Sequence, residues 1–201
     1  MSNRITKTLI SIFLIAGINC NVLAQDKTPL DVSDNKLKIE FEPGLFFNNG
    51  RSLNCLYTVT PDNNFAVGLY MMATDIPQEI HKNIFTNVMP DTKIRVVQEF
   101  AFNFRYRFNV FKQFESNPYL GLILGWEELR FTHPTLPELT FTTLLITPHI
   151  GYEVYLYKRM LYLNSQIRSV FYVGGTKSDE SRPENINSYT VLPSISIGLR
   201  I

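Results

Sequence analysis

The chain reads as an all-β protein, an eight-stranded antiparallel up-and-down transmembrane β-barrel, on three observations. The first is residues 94–108, IRVVQEFAFNFRYRF. One parity holds Ile94, Val96, Phe100, Phe102, Phe104, Tyr106 and Phe108, and the other holds Arg95, Glu99, Asn103, Arg105 and Arg107. Successive strand side chains point to opposite faces, so this is a ribbon with one aromatic side and one charged side. It exceeds the usual five or six residues of a globular strand and suffices for a tilted membrane crossing, which takes about 9–11. The second observation is that apolar residues alternate through eight such segments instead of gathering in blocks. The third is that short and long connections alternate along the chain, as in membrane barrels with tight turns on one rim and longer loops on the other.

Residues 1–24 have the anatomy of a secretory signal: Arg4 and Lys7, an apolar core, then Val22-Leu23-Ala24 ahead of cleavage at Gln25. The apolar core is too short for a membrane helix. Asn19 is a poor residue before a lipoprotein cut at Cys20, so ordinary cleavage is expected. Cys55 is then the one cysteine left, without an intramolecular disulfide, and reads as a small apolar residue. Residues 25–35 are polar and read as a periplasmic tail, and residues 36–201 as the barrel, a single domain. A formal net charge of +1 gives no reason to expect nucleic acid.

The first strand is expected over 36–47, interrupted by a bulge or bend at Pro43-Gly44, with a turn at Asn48-Asn49-Gly50. That link is short where the alternation asks for a longer one. Leu53, Cys55, Tyr57 and Val59 mark the second strand, and Pro61-Asp62-Asn63-Asn64 a turn before the third at 65–75. Residues 76–93 form the longest interruption, with Ile80, Ile84 and Val88 at the spacing of a short amphipathic helix ending near Pro90. The helix is expected to pack on the rim. Strands follow at 94–108, 119–132, 140–157, 161–176 and 188–201. They are separated by a turn at 109–118, a proline-bearing loop at 133–139, a tight turn at Lys158-Arg159 and a polar loop at 177–187.

The charged parity carries both signs: Lys38, Glu40, Glu42, Arg95, Glu99, Arg105, Arg107, His149, Glu153, Arg168 and Arg200. An eight-stranded tube is just wide enough for side chains to fill, so this set is expected to pair off inside as a polar plug. Tyr57, Phe104, Tyr106, Phe108, Trp126 and Tyr152 lie toward strand ends, where aromatic girdles belong. The rival is a soluble barrel with its apolar face inward. Mixed lumen charge, girdles and a strand running to the last residue favour the membrane.

Catalysis finds little to build on. His149 and Glu153 share the inward parity but stand ~13 Å apart along an extended strand. His81 and His133 fall in loops, where nothing fixes a set with Ser178 or Ser181. There is no metal-ligand spacing, cysteine pair or phosphate-cradling loop, so neither enzyme nor cofactor is expected. Pro148 and Pro193 sit on the outward parity, each expected to remove a ladder hydrogen bond.

Asn64-Phe65-Ala66-Val67-Gly68, Pro118-Tyr119-Leu120-Gly121-Leu122 with Gly125, and the terminal Ser196-Ile197-Gly198-Leu199-Arg200-Ile201 give the chain a family likeness. It resembles the small eight-stranded outer-membrane β-barrels of Gram-negative bacteria, the OmpA transmembrane-domain, OmpX and OmpW-like group, over essentially all of residues 25–201. One departure is the last residue, Ile201, where such barrels usually end on an aromatic. The resemblance implies a monomer in the cell outer membrane, in contact with outer-membrane lipid and the barrel-assembly machinery. It also implies a structural or interaction role through the outer loops. Two further roles stand beside it as alternatives. One is a carrier of small hydrophobic molecules, either opening laterally at Pro43-Gly44 or Pro148 or as a lipocalin-like periplasmic barrel. The other is a lipid A-modifying enzyme.

Overall fold

The computed structural model describes residues 36–60, 64–108, 116–157 and 160–201. The signal, the tail, the tight turn at Lys158-Arg159 and most of the turns expected at 61–64 and 109–118 lie outside the described residues.

Eight strands close into a ring: β1 (Leu37–Phe41), β2 (Arg51–Thr58), β3 (Phe65–Ile76), β5 (Lys93–Arg107), β6 (Asn117–His133), β7 (Leu136–Tyr157), β8 (Leu161–Lys177) and β10 (Tyr189–Arg200). The short β4 (Phe85–Thr86) and β9 (Asn185–Ile186) pair with each other outside the ring. Each barrel strand is antiparallel to its neighbours in chain order, and β10 closes on β1. One cross-strand path runs from Leu199 through Ile39, Cys55, Leu69, Phe102, Leu124, Ile146 and Phe171 to Tyr189, back on the strand where it began. That stagger is what tilts the strands of a closed barrel. Every residue on the path points outward, and together they form the apolar belt. Phe102, Leu124, Ile146 and Phe171 are all exposed, Phe102 at 55%. Cys55 is a half-buried free thiol in this belt.

Two pairs of residues show how the narrow lumen is filled. Tyr119 stands opposite Gly151 and Tyr162 opposite Gly198. A Cβ at either glycine would lie 2.3 Å or 2.2 Å from the facing ring, so glycine leaves the space that each tyrosine occupies.

Four expectations need correction. The 133–139 loop is part of a long hairpin, because β6 runs to His133 and β7 begins at Leu136, with Pro137 inside the strand. The first strand stops at Phe41, and Pro43–Asn48 coil into a 3-10 helix. The rim helix, α1 (Gln78–Ile84), ends six residues short of Pro90 because Phe85 and Thr86 turn extended to pair with β9.

The fourth correction concerns Arg95. Val97 is an extra residue in β5: against β6 pairing steps from Val96–Leu129 to Gln98–Glu128, and against β3 from Val96–Thr74 to Glu99–Met72, with no partner for Val97 on either side. A one-residue bulge reverses which face each later side chain takes. Below Val97, Glu99, Ala101, Asn103 and Arg105 point inward. Above it Ile94 and Val96 do, at 2% and 3% exposure, while Arg95 turns to the surface and pairs with Asp75 at 2.5 Å.

The upper end of the barrel is thereby a second tier with its own core. Ile94, Val96, Leu129, Phe131, Leu139 and Phe141 line the inside of the tall β5–β6–β7 wall. Ile84 and Phe85 close over them from α1 and β4. Phe131 packs edge-on to Phe85 at 5.1 Å between ring centroids.

Candidate functional site

The lumen is built in layers from the end that bears the termini. In the lowest, Lys38 donates to Glu153 at 2.6 Å and Arg107 to the same carboxylate at 2.9 Å. Arg200 stands across the strand pair from Lys38 at the rim. In the next, Arg105 donates two bonds to Glu40, at 2.6 and 2.7 Å, and lies 3.6 Å from Glu153. Asn54, Tyr162 and Asn164 also donate to Glu40, and Tyr119 donates to Asn164. Above these, Arg168 and Tyr70 both donate to Glu42, which also takes a bond from Ser194 at 2.8 Å. Glu99 lies one layer higher, opposite Glu127 across β5 and β6.

The structure thus brings Lys38, Glu40, Glu42, Arg105, Arg107, Glu153 and Arg168 into one connected network from four strands, Glu42 standing just past the end of β1. It sets Glu99 and His149 in the same lumen and leaves Arg95 outside. A buried ion pair is sustained only when its remaining lone pairs and protons find partners. The tyrosines and amides supply most of them, Arg105 Nε being left without one, and they are the residues the sequence reading missed. Tyr70, Tyr119, Tyr162, Asn54 and Asn164 share the inward parity of their strands and are 4% exposed or less. That parity was the available signal. Tyrosine hid it, because an aromatic on a membrane strand is first assigned to a girdle.

The three histidines serve the framework. His149 is buried, with Nδ1 3.3 Å from the Thr147 carbonyl and its ring edge-on to Tyr119. Nε2 of His81 lies 2.8 Å from the Ile76 carbonyl, beneath α1, and His133 Nδ1 meets the Thr135 hydroxyl in the β6–β7 hairpin turn. The described residues hold no group of three or more His, Cys, Asp or Glu placed for a metal.

The lowest layer leaves little room. The space among Lys38, Arg105, Arg107, Tyr119 and Glu153 amounts to about 10 Å³, roughly one water.

At the top, three connections are clipped into one cap. Asn187 donates its backbone N–H to Ile84 and its side-chain amide to Asn83, while Asn87 donates to Pro183. Arg182 donates to the Pro137 carbonyl at 2.7 Å and pairs with Glu184 at 2.5 Å, tying the last loop to the β6–β7 hairpin. The bond from Arg182 holds the Glu184 carboxyl below the ordinary glutamate range, and bonds from Ser181 do the same for Asp179. Beside α1 a cleft of about 470 Å³ opens to solvent, lined by Gln78, Lys82, Phe85, Asn87, Met89 and Thr92 among others. Thr92 is 1% exposed, and its hydroxyl has no partner.

Neither a protein-family model nor a curated protein sequence matches the chain. Solved structures do. Neisserial surface protein A superposes with a TM-score of 0.53 at 10% identity, over 83% of this chain and 94% of that one. A major outer membrane protein from Thermus thermophilus gives 0.49 at 12% identity, over 83% and 98%. CarO2 from Acinetobacter baumannii gives 0.36 at 11%, over 83% and 96%. At such identities the likeness is one of fold, and the first of the three carries it: the chain has the closed, eight-stranded antiparallel barrel of that protein.

Proposed function

We propose that the chain is an integral protein of the cell outer membrane with no through-channel, whose role is carried by the ordered cap it holds outside. The observation that supports this most is the filled lumen. Arg105 pairs with Glu40 and Lys38 with Glu153 across the tube, and a path for ions or solutes would have to break those bonds. The outward belt supplies the membrane contact. The upper loops, clipped by Arg182, Asn187 and Asn87, give a preformed surface instead of loose ends. A preformed surface loses less freedom on binding than a floppy one, which suits an interaction role. The cleft beside α1, within the size range of small-ligand sites, is where such an interaction would centre. The barrel would act as a monomer surrounded by lipid and be inserted by the barrel-assembly machinery.

Two measurements test this. The protein should extract from envelopes only with detergent and migrate faster on gels when unheated. In planar bilayers and swelling assays it should give no more permeability than empty vesicles. A steady conductance would refute the sealed lumen, and recovery in the soluble periplasm would refute the membrane placement.

A further inference from the structure

We propose that the upper part of the seam between β1 and β10 is a seat for one anionic, ester-linked membrane lipid, a reading that rests on the membrane placement above. β10 is paired along its β8 side from Tyr189 to Leu199, but on its β1 side only up to Ile197, opposite Phe41. Leu37 and Ile201 exchange backbone bonds of 3.2 and 2.8 Å across this seam, whereas the Arg200 N–H goes the other way, to Met160. Backbone groups in antiparallel pairs alternate sides along the strand. Ile195, Pro193 and Val191 therefore aim at β1, as Ile201 does.

Continued straight, β1 would bring Pro43, Leu45 and Phe47 opposite those three residues. Instead the chain coils at Pro43–Asn48. Both prolines belong to this seam, and neither has an N–H. Pro43 would have been the donor to Ile195, and Pro193 the donor to Leu45. The expectation that Pro193 removes a ladder bond is thus corrected: its missing N–H faces an edge on which the described residues place no strand. The same proline spoils that edge for a strand from another copy, since proline is a common guard of open edges. Among the described residues, the N–H groups of Val191 and Ile195 have no partner on this side.

The coil throws two rings outward. Phe46 is 63% and Phe47 92% exposed, and the Phe46 ring lies 6.5 Å from Phe41, an outward belt residue. Unpaired amides facing hydrocarbon are costly, and lipid tails offer them nothing. The ester carbonyls near a lipid's head do, as acceptors carried at the boundary of the apolar layer. Arg51, exposed at the start of β2 just beyond this coil, has no ion pair among the described residues. The three features fit one molecule: ester carbonyls on the Val191 and Ile195 N–H groups, an acyl chain along Phe46 and Phe47, and a phosphate on Arg51.

The test uses the sole tryptophan, Trp126, and residues 25–201 folded in phosphatidylcholine vesicles that carry an equal share of brominated phosphatidylcholine or brominated phosphatidylglycerol. In the unmodified chain both lipids should quench Trp126 alike, since it sits in the belt away from the seam. No quenching there would overturn the membrane placement itself. In a Trp126→Phe, Phe47→Trp variant, brominated phosphatidylglycerol should quench about fivefold more than its phosphatidylcholine counterpart, the size expected of one basic side chain at a lipid surface. Adding Arg51→Gln should erase the difference. Equal quenching before that change, no quenching at position 47, or a preference that survives Arg51→Gln would each overturn the seat. Should that variant fail to show heat-modifiable migration, Phe46→Trp takes its place. Amide exchange in the unmodified chain gives a second reading, in which Val191 and Ile195 should exchange more slowly once phosphatidylglycerol is present. Unchanged exchange, or copies cross-linking through this edge, would overturn the proposal.

Discussion

Strand β5 turns its apolar side chains outward from Phe100 to Tyr106 and inward at Ile94 and Val96, and the two tiers of the barrel differ in the same way. In the belt tier the centre is Lys38, Glu40, Arg105, Glu153 and Arg168, and the rim is Leu, Ile and Phe. In the upper tier the centre is Leu129, Phe131, Leu139 and Phe141, and the rim is Asp75, Arg95, Arg130 and Glu138, paired as Arg95–Asp75 and Arg130–Glu138. One wall serves both. On the proposed membrane placement, what changes is the medium outside it, hydrocarbon for the lower tier and water for the upper. Apolar surface goes wherever water is absent, and a bulge at Val97 is enough to re-aim it. The comparison teaches that, on that placement, this barrel is held together by a polar network where it meets lipid and by hydrophobic burial where it meets water.

The largest effect should come from emptying the lower centre. Glu40→Ala leaves Arg105 with only a long contact to Glu153 and removes the acceptor of Asn54 and Tyr162. We expect a loss of about 3–5 kcal/mol in urea unfolding from vesicles, with the heat-modifiable band weakened. The upper centre should be the weaker and more local of the two. Leu139→Ala, at a fully buried site, should cost about 2–4 kcal/mol, seen as faster amide exchange in α1 and β4–β9 while the belt stays protected. If exchange rises equally in both tiers, they are one cooperative unit and the division fails.

Smaller changes sharpen the contrast. Tyr162→Phe removes one donor to Glu40 and should cost about 1.5–3 kcal/mol, the worth of a hydrogen bond to a charged group. Arg95→Ala, placed on the outside by the Val97 bulge, should cost no more than about 1 kcal/mol. A loss as large as that of Glu40→Ala would return Arg95 to the lumen. The last effect is one of pH. Glu184 is held below its ordinary value by Arg182, so the clip contributes fully at neutral pH and is lost only as pH falls below the usual glutamate range, near about 4.3. Limited proteolysis of the last loop should therefore accelerate at low pH before the belt responds, and Glu184→Gln should show that acceleration already at neutral pH.

Much of this was legible from residue alternation. The eight crossings, the outward belt and most of the inward charges follow from parity, because a strand's two faces cannot mix. The places where reading failed share a cause. Arg95 was assigned inward by counting through Val97, and no residue there advertises an extra step. Residues 133–139 looked like a loop because of Pro134 and Pro137, yet pairing across the hairpin outweighs one missing donor. Two of the inward tyrosines, Tyr119 and Tyr162, were hidden because their partners, Gly151 and Gly198, lie far along the chain and become neighbours only when β6 pairs with β7 and β8 with β10.

By itself the sequence determined a ribbon with two unlike faces, repeated until it could close, because the period of two is a property of the backbone. Only the tertiary structure decided which medium each face would meet. It set the polar plug below and the apolar core above, and it left the seam between β1 and β10 open beyond Phe41 and Ile197. The physical reason is that register, bulges and closure are agreements between strands far apart in the chain, and no single strand carries them.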